Sequence, residues 1–161
     1  MSELIERVAE EVRFEIGHLE QLFVSYSDLL PGARERTPGL VEMTALASVV
    51  HSFYQGMENI FVAVAKRLDQ QLPTGDHWHK DLLAQMTRQT AKRPPVISTE
   101  LETRLAVYLG FRHFSRHAYP YFLDWDELEK LVVPLHEVWA EVKRQLHQFL
   151  DTLGSGRGGP A

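Results

Sequence analysis

Apolar residues recur at steps of three and four from the start of the chain. Leu4, Val8, Val12, Ile16, Leu19, Phe23, Tyr26 and Leu30 fall on one face of a helix that Ser2 can cap and that Glu3 and Glu6 support in its first turn. Pro31-Gly32 is expected to end it. Thr37-Pro38, a capping residue before a proline at the first helical position, opens a second stripe through Leu40, Ala47, Val50, Tyr54, Met57, Phe61, Val64 and Leu68, which predicts a helix to about residue 72. Two rods of similar length joined by a short loop form an antiparallel hairpin. Gly56 in the middle of the second rod costs about 1 kcal/mol relative to alanine, so it marks either close packing of a neighbour or an incidental glycine.

Pro73-Thr74-Gly75 breaks the pattern, and Asp76 is placed to cap a shorter helix from residue 77 to about 90. Residues 92–97 read as a linker, because Pro94-Pro95 excludes helix. Thr99 with Glu102 has the spacing of a capping box, and the stripe behind it runs Leu101, Leu105, Tyr108 and then Arg112, an arginine at the next position of an apolar face. Pro120 should stop this helix by about residue 118. Asp124 and Glu127 open the last stripe, Leu128, Leu131, Leu135, Val138, Val142, Leu146, Phe149 and Leu153, with a kink expected at Pro134. No strand alternation and no internal repeat appears. The fold class is all-α, an up-and-down bundle of about four long helices plus one short helix, with residues 1–153 as one domain and the Gly-rich residues 154–161 as a disordered tail.

Composition narrows the function. The net charge of -5 argues against a protein that coats nucleic acid non-specifically, since such binding draws on many Lys and Arg contacts to phosphate. The absence of cysteine removes thiolate chemistry, disulfides and Cys-based zinc sites. No apolar run approaches the roughly 20 residues of a spanning helix, and no leader pattern opens the chain, so the expectation is a cytoplasmic protein with no membrane role.

The exception to this bland composition is residues 111–121, which hold Arg112, His113, Ser115, Arg116, His117, Tyr119 and Tyr121, with no acidic residue between Glu102 and Asp124. Arg112 and His117 are five apart, about 140° around an ideal helix. Either the helix ends between them or a second chain completes the site; a two-fold interface would place two copies of the basic patch together. Such a pair suits RNA cleavage without a metal. The substrate supplies its own 2′-hydroxyl nucleophile, a histidine exchanges the proton near neutral pH, and an arginine holds the phosphate and stabilises the charge of the transition state. This assigns Arg112 and His117 as catalytic residues, with His113, Ser115 and Arg116 as RNA or phosphate contacts.

The pattern Arg112-His113-x3-His117-Ala118-Tyr119, at the end of the penultimate long helix of an all-α bundle, resembles the HEPN domain superfamily, whose hallmark is Arg, a polar residue, and His after four to six residues. The added His-x-Tyr resembles the HepT-like branch, ribonuclease toxins paired with a minimal nucleotidyltransferase antitoxin. Residues 40–83, including 51–60 and 78–83, are similar to HepT-related sequences as well. The resemblance implies a metal-independent endoribonuclease that needs no cofactor, cuts tRNA or mRNA, and works as a homodimer with Arg112 and His117 of both copies at the interface. It also implies that the antitoxin silences the toxin by placing AMP on Tyr119, adding bulk and negative charge to a cationic cleft. His113 departs from the Asn common at that position, and Tyr121 offers a second hydroxyl.

Other readings stand beside this one. Arg112 could form a structural ion pair, for instance with Glu58 of the second helix, and His117 could be a helix-terminal histidine favoured by the dipole. Many HEPN domains are inactive, so an interaction module that docks a nucleotidyltransferase without chemistry of its own is the first alternative. A metal-binding bundle is the second, from His113-x3-His117, His77-Trp78-His79 and Glu15-x-x-His18, although the second Glu-x-x-His of a di-iron site is missing. Without a metal, His77 and His79 read as capping or surface groups.

Overall fold

The computed structural model describes residues 2–117 and 124–156, and for residue 2 and residues 112–117 the backbone alone. Among these residues the chain is all-α: α1 (Ser2–Ser25), α2 (Leu29–Glu35), α3 (Leu40–Val64) continued by a π-helical turn (Ala65–Asp69), α4 (Trp78–Gln85), α5 (Thr99–His117), α6 (Trp125–Val132) and α7 (Leu135–Gly154). α1, α3, α5 and α7 form the long up-and-down bundle. α2, α4 and α6 are short, where the periodicity had predicted one short helix. No helix is long and apolar enough to cross a membrane.

The helix ends differ from expectation for local reasons. α1 stops at Ser25, the chain turns, and α2 then runs through Pro31-Gly32 rather than ending there. Pro31 falls in the first turn of α2, where backbone N–H groups have no intrahelical acceptor, so its missing donor costs nothing. α3 begins two residues after Pro38, with Gly39 as cap; its N–H donates to Glu42 Oε1 at 3.3 Å. The π-helical turn is closed by Gln70 in the left-handed region (φ 53), so the second rod stops at Asp69 rather than near Leu72. Asp76 does not cap α4, which has no side-chain cap and ends at Gln85 instead of near residue 90.

The reason for that early end is Arg93. Its guanidinium is fully buried, donates to Asp69 Oδ1 and Oδ2 at 2.6 and 2.7 Å, and takes the carbonyls of Arg88, Pro94 and Gln85 at 2.9, 3.1 and 3.3 Å. The carbonyls that a longer helix would use are drawn to the arginine.

At α5 the capping residue is Ser98, not Thr99. Leu101 N–H donates to Ser98 Oγ at 3.1 Å, and Gln145 of α7 holds Ser98 through its backbone N–H at 2.7 Å. Asp124 caps α6 as predicted, accepting from Asp126 N–H at 3.0 Å. The expected kink at Pro134 is a full break between α6 and α7, as proline has no N–H to continue the ladder.

The core is layered around an aromatic cluster. Phe23 of α1 stacks on Trp139 of α7 at 5.8 Å, and Phe53 of α3 meets both edge-on, at 6.2 and 6.3 Å. Phe53 also meets Tyr108 of α5 at 5.4 Å, so all four long helices share one cluster. α1 and α3 are antiparallel: Leu19 lies over Gly56, where an added Cβ would stand 2.7 Å from Leu19 Cδ2, and Arg67 bonds Glu11 at 2.7 Å further along. Close packing is therefore the reason for that glycine.

Candidate functional site

The stretch singled out by sequence is carried on the C-terminal end of α5. Leu101, Leu105 and Tyr108 are buried as their spacing predicts, and Arg112 occupies the next position of that face. α5 continues through His117, so the helix does not end between Arg112 and His117. On a continuous helix the two lie about 140° apart, with Arg112 and Arg116 on one strip and His113 and His117 on the next. Ser115 is on the same helix. The side chains of these residues, and Tyr119 and Tyr121 altogether, lie outside the described residues.

Both flanks of the stretch are anchored. Four residues before Arg112, the Tyr108 hydroxyl donates to the Leu131 carbonyl at the end of α6, at 2.7 Å and fully inside the core. Burial pushes this hydroxyl well above its ordinary titration range, and the charge of nearby Arg104 only partly opposes that. Arg104 itself reaches Glu137 of α7 at 3.4 Å. These contacts hold α5 antiparallel to α7 and fix where its C-terminal end emerges.

Between α3 and α4 lies a pair the sequence did not single out. Glu58 of α3 is 3% exposed, and its Oε2 is 2.7 Å from Nδ1 of His79 on α4. The His79 ring packs against Trp78 at 3.5 Å. His79 is thus neither a cap nor a simple surface group. The next residue, Lys80, lines an open cleft of about 310 Å³ with Leu83 and Ala84 of α4 and Ala106, Leu109 and Gly110 of α5. Glu102 lines the same cleft, which therefore runs along α5 from its first turn to Gly110, two residues before Arg112.

A signal for this pair existed in the sequence. His51, Tyr54, Gln55 and Glu58 fall at i, i+3, i+4 and i+7, a polar strip on a helix whose neighbouring positions are core, and Tyr54 and Glu58 are both buried.

Three of the residues proposed for a metal are otherwise engaged: Glu15 accepts from Asn59 across the α1–α3 seam at 3.3 Å, His18 packs at a tilt against Phe14 at 4.4 Å, and His79 meets Glu58. Among the described residues no three His, Asp or Glu side chains are grouped to hold a metal ion.

Fold and site together define an all-α bundle whose penultimate long helix ends in a basic stretch bearing histidines, the architecture expected of a HEPN domain. The profile of the HepT-like protein family matches residues 45–153, about two thirds of the chain and including the whole of the 112–119 pattern. The chain belongs to the HepT-like family. No curated protein and no solved structure matches it significantly.

Proposed function

We propose that this chain is a HEPN-type toxin, a metal-independent endoribonuclease that cleaves tRNA or mRNA in the cytoplasm. The observation that carries the reading is the pattern Arg112-x4-His117-x-Tyr119 on the end of α5, inside the segment that matches the family. His117 takes the proton of the 2′-hydroxyl, whose oxygen attacks the adjacent phosphorus. The bond to the 5′-oxygen breaks, and that oxygen takes up a proton, leaving a 2′,3′-cyclic phosphate and a 5′-hydroxyl. Arg112 binds the non-bridging oxygens as charge builds on them, and His113, Ser115 and Arg116 add phosphate contacts.

The continuity of α5 supports a composite site. Since Arg112 and His117 lie on different sides of one helix, a homodimer that brings two such helix ends together supplies an arginine from one copy near a histidine of the other. The antitoxin is a nucleotidyltransferase: the Tyr119 hydroxyl attacks the α-phosphorus of a nucleoside triphosphate, pyrophosphate leaves, and AMP stays on the tyrosine. The added phosphate opposes RNA in the cleft.

The test is growth after induction of wild type and of His117→Ala at equal protein level. Arrest by the wild type alone supports the ribonuclease. Harmless wild type without AMP on Tyr119, seen by intact mass, turns the reading to a docking module that does no chemistry.

A further inference from the structure

The end of the bundle at which α5 finishes holds a second feature. Ser98 bonds Gln145 and Arg104 reaches Glu137, so α5 runs antiparallel to α7, and its C-terminal end lies at the same end of the bundle as the start of α7. There a cavity of about 370 Å³ lies between α2 and the break that separates α6 from α7. Leu30, Pro31, Val132 and Val133 give it an apolar wall, and its polar residues are Ser27, Arg34, Glu35 and His136. Volume and lining fit a small organic ligand, whose body takes the apolar wall while a few polar groups orient it.

Arg34 sets this cavity apart. Other arginines of the chain meet carboxylates, Arg36 with Glu42 and Arg104 with Glu137 among them. Arg34 has no carboxylate partner among the described residues and is fixed by a neutral group instead, donating through Nη2 to the Val133 carbonyl at 2.7 Å. A single donor is used this way, which leaves most of the guanidinium fork open. His136, in the first turn of α7, lines the same cavity, with its ring edge-on to buried Phe23 at 6.0 Å. Neither its ring nitrogens nor the Ser27 hydroxyl bonds a described residue.

A guanidinium, an imidazole and a hydroxyl offer donors to more oxygens than one carboxylate has, and so match a phosphate group. The apolar wall offers a surface for a base. Glu35 can accept from a sugar hydroxyl or a base amine, and its charge works against a bare anion.

We infer that this cavity is a nucleotide site, with Arg34 and His136 on the phosphate and the apolar wall under the base. The nucleotide is either free or one residue of an RNA strand that runs past this end of the bundle. The site goes beyond the ribonuclease reading: it needs no cleavage and no residue of the basic stretch.

The experiment is calorimetric binding by the whole chain, with AMP, adenosine, inorganic phosphate and a 2′-O-methyl adenosine hexanucleotide, which 2′-hydroxyl attack cannot cleave. AMP is expected to bind about tenfold or more tightly than adenosine or inorganic phosphate, and Arg34→Ala to weaken AMP by about tenfold or more. Arg34→Ala also removes the bond to Val133, so His136→Ala, which leaves that bond in place, is measured beside it, with an expected loss of about threefold or more. Arg144→Ala, whose guanidinium pairs with Glu141 further along α7, is expected to bind as wild type does.

AMP binding that depends on Arg34 and His136 supports a free nucleotide. Binding of the hexanucleotide alone, with the same dependence, supports a residue of an RNA strand. If neither ligand binds, or if both bind Arg34→Ala and His136→Ala as they bind wild type, the inference is overturned. A chain that cleaves no RNA but binds AMP in this way loses the ribonuclease reading and keeps the site.

Discussion

The Tyr108 hydroxyl and the Leu131 carbonyl meet at 2.7 Å inside the core, and between these two residues in sequence lies every residue assigned to chemistry. The bond ties the helix that carries the motif to the helix that follows it. Tyr108→Phe keeps the ring against Phe53 but leaves a buried carbonyl without this donor. The expected cost is about 1–3 kcal/mol, or a fall in Tm of about 2–4 °C per kcal/mol for a chain of this size. Thermal unfolding of the two proteins measures it, and an unchanged Tm would remove the clamp from this account.

The same hydroxyl gives a pH dependence. Its folded-state pKa is raised above the ordinary 10.0, so the folded protein keeps a proton that the unfolded chain gives up. Its contribution is therefore complete below pH 10 and is lost as pH rises above that value. Phenolate absorbance should show Tyr108 titrating only on unfolding, so that Tyr108→Phe removes one tyrosine from that late step.

Asp69 and Arg93 close the far end of α3 onto the loop that leads to α5. Asp69→Ala leaves a guanidinium buried and uncompensated, with an expected loss of about 3–5 kcal/mol in urea unfolding. Replacing both residues with apolar side chains of similar volume should recover most of that loss. If the single variant is as costly as the double, the ion pair is not the source of the effect.

Gly56→Ala sets helix propensity against packing. Alanine gains about 1 kcal/mol in a helix interior, but its Cβ would meet Leu19 at 2.7 Å, and overpacking of this kind costs about 1–3 kcal/mol. The substitution should be neutral to destabilising alone and stabilising in a Leu19→Ala background, relative to Leu19→Ala itself. Chemical denaturation of the four proteins provides the check.

The proposed chemistry fixes its own products. RNA cut by 2′-hydroxyl attack should carry cyclic phosphate and 5′-hydroxyl ends, and a chelator should leave the rate unchanged, since no step calls on a metal ion. Arg112→Ala and His117→Ala should each lower the rate at least about a hundredfold. Co-expression with a nucleotidyltransferase partner should add one AMP to wild type and none to Tyr119→Phe. Products with 5′-phosphate ends would point to a different mechanism.

The sequence by itself determined the all-α class, the four long helices and the basic stretch that belongs to the HepT-like pattern. Each of these is periodic or local: Leu101, Leu105 and Tyr108 repeat at helical spacing, and the order of Arg112, His117 and Tyr119 is a property of consecutive residues. Tertiary structure decided what depends on residues far apart. Pro31 is tolerated because it falls in the first turn of α2, and α4 ends early because Arg93 takes its carbonyls. His79, which looked like a cap, instead meets a carboxylate 21 residues away. No local propensity encodes a contact between a buried carboxylate and a histidine on another helix. It forms only when packing brings α3 and α4 together.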